Sequence, residues 1–443
     1  MHTLPLIYRP FSIRIAALLL TLWLMLPALL TAQQQRTWTL RQCLEHAREN
    51  NIALLQARMN MESSEVELAR TKAQRLPNLN AGVGFGANFG YTINPFTNDF
   101  TSAGNQSLNG GLQSGVTLYN GGRIMQTIQQ ADLDLRASEL DLKQAEVDLA
   151  LNITLAYLDI LRNAELVQGA ELQLASTREQ RDRTARLVEA GVTARADLLQ
   201  LESQIATDEL SLVNAENQLE TAHLVLMQIL RLDPSDPFGV ERIEVDIPEN
   251  DIFRTPLADI YQTATNTQPG VLSADIRIRS AEMGEKIAHT GLLPSLSASG
   301  SVGTGWASGR ERFSGQTVVI RDTQSVSVSL AGGDYQELNL ATSAEQPLRE
   351  TYRFVDQLSD NINASVNLSL NIPIYNRRQN SASIQQAEIR RRQAELQAEQ
   401  VRLNLEQTIQ QAYVQARSAY STYTSTMRHS GLVHRLAEWS APG

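Results

Sequence analysis

The 443-residue chain is poor in the groups that do chemistry. It has six histidines and a single cysteine, Cys43. No two histidines have the His-Glu-x-x-His spacing that would set two imidazoles on one helix face around zinc. A lone thiol makes neither an intramolecular disulfide nor a thiolate metal cluster. Asp and Glu pairs are frequent, but they fall on helical faces where solvation accounts for them. Gly82-x-Gly84-x-Gly86 has something of the spacing of a phosphate loop. It lies inside a strand-like alternation rather than opening a helix, so the glycines read as small residues on one strand face. These residues support no enzyme, no cofactor and no metal.

What the chain does offer is a run of groups that form hydrogen bonds without titrating. In NINASVNLSLNIPIY, Asn361 to Tyr375, the apolar residues Ile362, Ala364, Val366, Leu368, Leu370, Ile372 and Ile374 alternate with Asn363, Ser365, Asn367, Ser369 and Asn371. Successive strand side chains point to opposite faces, so this segment makes one aliphatic wall and one amide-and-hydroxyl wall. Two architectures use such a strand. One is a soluble sheet with a wet face. The other is a transmembrane barrel, with lipid outside and a watery lumen inside, built from strands of about 10 residues.

The rest of the chain bears on that choice. A net charge of −10 argues against a nucleic-acid partner. Arg9 and Arg14 precede an apolar run, Ile15 to Leu30, and Leu30-Thr31-Ala32 offers a cleavage site, so residues 1–32 read as a secretory signal peptide. No other apolar run approaches the roughly 20 residues of a membrane helix. Cys43 lies beyond the cleavage site, where it is not placed to carry a lipoprotein anchor, and is expected as a small apolar residue packed on a helix.

The remainder repeats itself. Leu76-Pro77-Asn78-Leu79 returns as Leu293-Pro294-Ser295-Leu296. At a second, larger offset Tyr119-Asn120 returns as Tyr375-Asn376, Ile128-Gln129-Gln130-Ala131 as Ile384-Gln385-Gln386-Ala387, and Ala156-Tyr157 as Ala412-Tyr413. The additional length of the second half falls in Ala307–Asp360, a polar segment expected to be a long surface loop. A helix is expected from Leu40, with Thr39 and Gln42 forming a capping box, and another from Leu257, with Thr255 as N-cap and Pro256 in the first turn. Strands are expected at Ala81–Tyr91, Leu108–Tyr119, Ser295–Trp306 and Ile362–Tyr375. In the first of these Val83, Phe85, Ala87, Phe89 and Tyr91 face one way and Gly82, Gly84, Gly86, Asn88 and Gly90 the other. Trp306, Tyr91, Tyr119 and Tyr375 lie near strand ends, where interfacial aromatics are favoured. The first repeat spans 33–232 and the second 256–443, joined by 233–255, which opens with Asp233-Pro234-Ser235-Asp236-Pro237.

A very long helix follows the second strand. From Arg123 to about Glu189 no proline intervenes and Gly169 is the only glycine. At 1.5 Å per residue it would extend roughly 100 Å. Ile128, Leu135, Leu142, Leu149 and Ala156 form one heptad series; Leu133, Leu140, Val147 and Leu161 form another about 200° away. A single coiled-coil partner needs one seam, so two seams point to a neighbour on each side. Four strands cannot close a membrane barrel, whose minimum is about eight, and an open edge in lipid is forbidden; either the strands are soluble or several chains each donate four.

With these features the chain resembles the TolC-like outer-membrane efflux protein family over essentially all of the sequence after the signal peptide. TLRQCLEHARENNIALLQAR, from Thr39, is similar to that family's first repeat helix, and RLVEAGVTARADLLQLESQ, Arg186–Gln204, to the hairpin at its periplasmic tip. In that hairpin Gly191 can end the long helix in a left-handed cap, Thr193 can start the next helix, and Asp197 falls in its first turn. The resemblance implies an α+β membrane protein: a homotrimer sharing a 12-stranded β-barrel and a periplasmic α-barrel. It implies docking to a periplasmic adaptor and an inner-membrane RND or ABC-type pump, with Arg186, Glu189, Gly191, Val192, Thr193 and Asp197 at the adaptor-facing tip. Asn363, Ser365, Asn367, Ser369 and Asn371, with Gly82, Gly84 and Gly86, would line the lumen. Val366, Leu368, Leu370, Val83, Phe85 and Phe89 would face outer-membrane lipid. The alternative is a periplasmic coiled-coil adaptor or structural protein with a soluble β-domain. The step from Asn120 to the tip glycine Gly191, repeated from Asn376, runs past Gly443, so the second repeat is expected to lack its tip and return helix.

Overall fold

A computed structural model describes residues 36–90, 92–93, 100–101, 105–243, 255–329 and 335–440. In chain order the elements are β1 (Arg36–Trp38), α1 (Leu40–Asn50), α2 (Ile52–Ala73), β2 (Asn78–Asn88), β3 (Thr92–Ile93), β4 (Phe100–Thr101), β5 (Asn105–Tyr119), α3 (Arg123–Glu189) and α4 (Arg195–Leu230). There follow β6 (Phe238–Val240), α5 (Leu257–Thr267), α6 (Pro269–His289), β7 (Ser295–Ala307), β8 (Glu311–Ser329), β9 (Tyr335–Thr351), α7 (Phe354–Asp360), β10 (Asn363–Asn371) and α8 (Gln379–Ser440). The chain divides into two units, one made of Met1–Glu67, Ala131–Ser280 and Arg392–Gly443, the other of Leu68–Gln130 and Ala281–Arg391. Residues 1–32, expected as a signal peptide, lie outside the described residues, as does Tyr91.

The first unit is helical. Its core packs Cys43, Ala47, Ile153, Tyr157, Ile160, Ala222, Leu226 and Leu230, with Trp38, Phe238 and Val240 against them. Cys43 is fully buried, as expected of a small apolar residue, and burial raises its thiol pKa to about 11. β1 and β6 pair in parallel, and the buried Tyr157 hydroxyl holds that pair to α3, reaching the carbonyls of Glu241 at 2.5 Å and Trp38 at 3.2 Å. The capping box forms as predicted: the Gln42 N–H donates to Thr39 Oγ1 at 3.2 Å, and the Thr39 N–H to Gln42 Oε1 at 3.0 Å.

Each expected opening helix is in fact two. Asn51 turns extended (ψ 125°), and its Oδ1 accepts from the N–H groups of Ala53 and Leu54, so it ends α1 and caps α2. Gln268 turns extended ahead of Pro269, a residue position that proline biases away from the α region. Helix α5 begins at Leu257, as expected, but Thr255 is not its N-cap; that position is Pro256, with no side-chain hydrogen bond.

Helix α3 has the predicted bounds, 67 residues that run through Gly169. Within the helical unit it packs against α1 and α4 in the core and makes polar contacts to α2 and α6. Ser138 Oγ lies 3.0 Å from Ser64 Oγ of α2. Against α6, the Ser273 hydroxyl donates to Asp141 at 2.5 Å, the Ser280 hydroxyl to Asp134 at 2.5 Å, and the Gly270 N–H to Gln144 Oε1 at 3.0 Å. Small residues on α6 make room for acid and amide side chains of α3, so antiparallel register is set by polar pairs as well as by packing.

The second unit is built on an antiparallel sheet in the order β10-β7-β5-β2. Asn78 already pairs with Gly115, so β2 starts three residues before the expected Ala81. β10 stops at Asn371, two residues before Pro373, which has no N–H for the ladder. The expected loop over Ala307–Asp360 is largely folded: β8 and β9 form a hairpin running from Glu311↔Thr351 to Ser329↔Tyr335, and α7 follows. Its β-branched residues Thr317, Val318, Val319, Ile320, Thr323 and Val326 favour strand, and a structureless connection of that length would be unusual. Gln357 of α7 is buried, accepting from the Ala307 N–H at 3.0 Å and donating to the carbonyls of Ala307 (3.2 Å) and Tyr352 (2.9 Å).

Candidate functional site

Two groups of predicted residues come together, one in each unit. In the sheet, directly opposed residues share a face. One face carries Gly82, Gly111, Gly303 and Asn363 in a row; Asn80, Gln113, Ser301 and Ser365 in the next; then Asn78, Gly115, Ser299 and Asn367; then Thr117, Ser297 and Ser369. Gly84 opposes Asn109, Gly86 opposes Ser107, and Asn371 opposes Ser295. All the predicted lumen residues therefore lie on this face, joined by β5 and β7 residues such as Asn109, Gln113 and Ser301.

The opposite face carries Ala81, Leu112, Val302 and Ala364; Leu79, Ser114, Gly300 and Val366; Val116, Ala298 and Leu368; and Phe85, Leu108 and Trp306. Val83 shares it with Gly110 and Thr304. A bulge after Thr117 moves Tyr119 onto this face opposite Leu296, in line with Leu370. Phe89 follows the last paired residue of β2, so the register assigns it no face, although its side chain is exposed. Val366 is 88% exposed and Leu368 67%, so among the described residues this part of the apolar wall is uncovered, while Phe354 of α7 packs on Trp306 with ring centroids 5.6 Å apart.

No residue of β2, β5, β7 or β10 is charged. Over the polar face lies an open concavity of about 1140 Å³, lined among others by Gly82, Gly84, Asn109, Gln113, Ser301 and Asn363. Ser301 Oγ and Ser365 Oγ are 2.9 Å apart, and Asn78 Oδ1 accepts the Gly115 N–H at 2.7 Å. Gly111 has to be glycine, since a Cβ there would fall 2.9 Å from the Val302 carbonyl oxygen. At the loop end of the sheet Arg310 donates to Asn361 Oδ1 at 2.6 Å, and Asn361 donates to the Gly305 carbonyl at 2.6 Å. Arg310 gave no signal in the sequence, because it falls in the segment expected to be loop. The polar residues of β7 alternate visibly in SLSASGSVGTG. Those of β5 are obscured by Gly110 and Gly111, which sit on opposite faces. The surface can offer weak, uncharged hydrogen bonds to many solutes and strong binding to none.

The second group lies at the turn between α3 and α4. Gly191 has φ 73°, its N–H donates to the Val188 carbonyl at 3.0 Å, and the Val192 N–H donates to the Leu187 carbonyl at 2.9 Å. That pair of bonds is a Schellman cap, as the glycine predicted. Thr193 is not the N-cap of α4. Ala194 holds that position with no side-chain bond, and the Thr193 hydroxyl donates to Asp197 Oδ2 at 2.7 Å instead. Asp197 lies in the first turn, as expected, and Arg186 Nε donates to the Asp182 carbonyl at 3.3 Å. Glu189 ends α3, and Leu187, Val192 and Leu199 leave apolar surface exposed around the turn.

Residues 43–230 and 260–426 match the family model described as outer membrane efflux protein. A curated relative, the outer membrane efflux protein BepC of Brucella suis biovar 1 (strain 1330), is 22% identical over 390 residues, covering 88% of this chain and 72% of the relative. Among solved structures, the outer membrane protein VceC of Vibrio cholerae superposes with a TM-score of 0.68 at 13% identity, covering 89% of this chain and 83% of that one. The CmeC outer membrane channel of Campylobacter jejuni superposes with a TM-score of 0.65 at 15% identity, covering 91% and 77%. With the family model spanning both halves, the chain belongs to the outer membrane efflux protein family, as an exit channel of the outer membrane.

Proposed function

We propose that three copies of this chain pool their four-stranded sheets into one 12-stranded barrel. The duct so formed carries solutes passively from a periplasmic adaptor and an inner-membrane pump of the RND or ABC type. The carrying observation is the sheet itself. Among the described residues its outer strands, β10 and β2, each have an unpaired edge, and its apolar face is largely bare. In lipid, unpaired backbone groups cost several kcal/mol each, so the edges must find partners in other chains. Because the two free edges belong to different strands, head-to-tail pairing of identical chains closes a ring.

The repeat supplies the register. Asn78↔Gly115, carried onto the matching positions of the second half, becomes Ser295↔Asn371, a pair that β7 and β10 make. The same correspondence applied to Gly111↔Gly303 sets Asn367 of one chain opposite Gly86 of the next. Uncovered apolar stripes favour the same assembly in the helical part: Leu151, Leu155 and Leu158 on α3, and Ile389, Leu396 and Leu403 at heptad spacing on α8, are exposed in the chain. The tip residues Arg186, Glu189, Gly191, Val192, Thr193 and Asp197 form the adaptor contact in this reading. With no charge on the strands, the barrel discriminates little among solutes, and the energy for export comes from the pump.

Cysteines at Gly86 and Asn367 test the assembly, because the one native thiol is buried. Oxidation in membranes should link chains into dimers and trimers. Intermolecular bonds at neither this register nor one shifted by two residues would overturn the pooled barrel.

A further inference from the structure

We propose that the helix-side end of the sheet carries a built cationic collar that binds anionic phospholipid headgroups, with Arg377 and Arg378 at its centre. The inference rests on the reading of this sheet as a membrane barrel. In a chain with 48 acidic and 38 basic residues, no Asp or Glu lies within eight residues of the four strand ends on the side where the helices leave. Lys72 and Arg75 precede β2, Arg123 follows β5, and Arg377 and Arg378 follow β10, all exposed.

Two local rules are broken here. A cation near a helix C-terminus, like Lys72, complements the helix dipole, but Arg123 begins α3 and Arg377 and Arg378 immediately precede α8, where positive charge is unfavourable. Neither α3 nor α8 has an acid in its first turn to offset it. The backbone is also strained. Arg377 and Arg378 are left-handed, at φ 53° and 67°, a conformation disfavoured for residues with a Cβ. Their counterparts in the first half of the repeat are Gly121 and Gly122, at φ 66° and 82°. Glycine is forced at Gly121, since a Cβ would lie 2.8 Å from Leu293. At the edge strand the chain has arginine where glycine would relieve both costs.

The surroundings indicate what the guanidinium groups meet. Ile372, Ile374 and Tyr375, just before them, are exposed, Ile374 by 94%. Apolar side chains, then an aromatic ring, then arginines is the order of a membrane boundary read from hydrocarbon to headgroup. Among the described residues no ion pair holds either arginine. A guanidinium binds phosphate bidentately, so anionic glycerophospholipid of the periplasm-facing leaflet is the occupant.

The test uses the full chain and the double variant Arg377→Gly/Arg378→Gly, which copies the first half and removes strain, so it should fold at least as well. Each protein is inserted into phosphatidylcholine vesicles and into vesicles with about one-fifth phosphatidylglycerol. An arginine near such a surface gives about a five-fold preference. The wild type should therefore favour the anionic vesicles at least ten-fold at low salt and lose that preference at high salt. The variant should insert and assemble with a preference reduced more than five-fold. Equal preference in wild type and variant, or none in a wild type that inserts normally, overturns the collar and leaves the barrel standing. A wild type that enters no vesicle overturns the barrel reading, and the collar with it.

Discussion

Consider arginine placed at Leu368. The residue is sixth of the nine in β10, so at about 3.4 Å per residue it sits near the middle of the strand. It opposes Ala298, which opposes Val116, and it is 67% exposed in the chain. In water, a substitution that exposed would change stability by about 0.5 kcal/mol or less. If lipid fills the space, the same arginine near the bilayer midplane costs about 2–4 kcal/mol, which is roughly 30- to 700-fold in the folded ratio. Asn367, one residue away, shares its row with Ser299, Gly115 and Asn78 on the polar face, so Asn367→Arg should cost far less. The assay is urea titration of folding into vesicles, read by the heat-sensitive mobility of the assembled protein on gels. Because the chain makes so little contact with Leu368, the difference between the two variants reports the medium outside the sheet. Equal tolerance at both positions would refute the assignment of the apolar face to lipid.

Two further outcomes concern the helical unit. Tyr157→Phe removes the hydroxyl that reaches the Glu241 and Trp38 carbonyls and should cost about 1–2 kcal/mol; an unchanged denaturation midpoint in detergent would mean the hydroxyl does not hold β1 and β6. Asp208 is buried between α4 and α3, and hydrogen bonds from Thr177 (2.7 Å) and Gln204 (2.8 Å) hold its pKa below the ordinary carboxylate value. A lowered folded pKa contributes stability that is complete above the unfolded value near 3.9 and is lost as pH falls through the folded pKa. Asp208→Asn should therefore flatten the fall in thermal stability below about pH 4; superimposable pH profiles for the two proteins would count against it.

What was legible in the sequence follows from which residues have to satisfy two environments at once. Val366, Leu368 and Leu370 alternate with Asn367 and Ser369 because each strand divides two media, and period two survives any detail of pairing. The bounds of α3 were legible because nothing between Arg123 and Gly191 interrupts it, and because Gly191 has a backbone role that few other residues fill. The β8–β9 hairpin was not, since a mixed polar segment has no burial pattern to betray it. The residue type of Thr193 suits an N-cap, but its hydroxyl donates to Asp197 rather than accepting from a helix N–H, and the cap falls one residue later at Ala194. The left-handed pair Arg377–Arg378 could not be read from residue type at all, because arginine argues against the conformation it adopts.

The same reasoning explains why the chain looks unfinished by the rules of soluble proteins. Large exposed apolar side chains in water invite aggregation, and bare strand edges invite pairing. Here the exposed residues are ordered by what they would meet. Val366 and Leu368 share a strand face, Leu151, Leu155 and Leu158 share a helix face, and the unpaired edges lie on β2 and β10 and not on the central strands. Charge is segregated as well: it is absent from β2, β5, β7 and β10, while positive charge gathers at the end where the helices leave and Arg310 sits at the other. A sheet that had drifted from a soluble fold would have no reason to keep its neutral stretch to the length of four strands. A sheet that spans lipid has to, because each charge moved inward from either end would bring the desolvation cost that arginine at Leu368 is designed to measure.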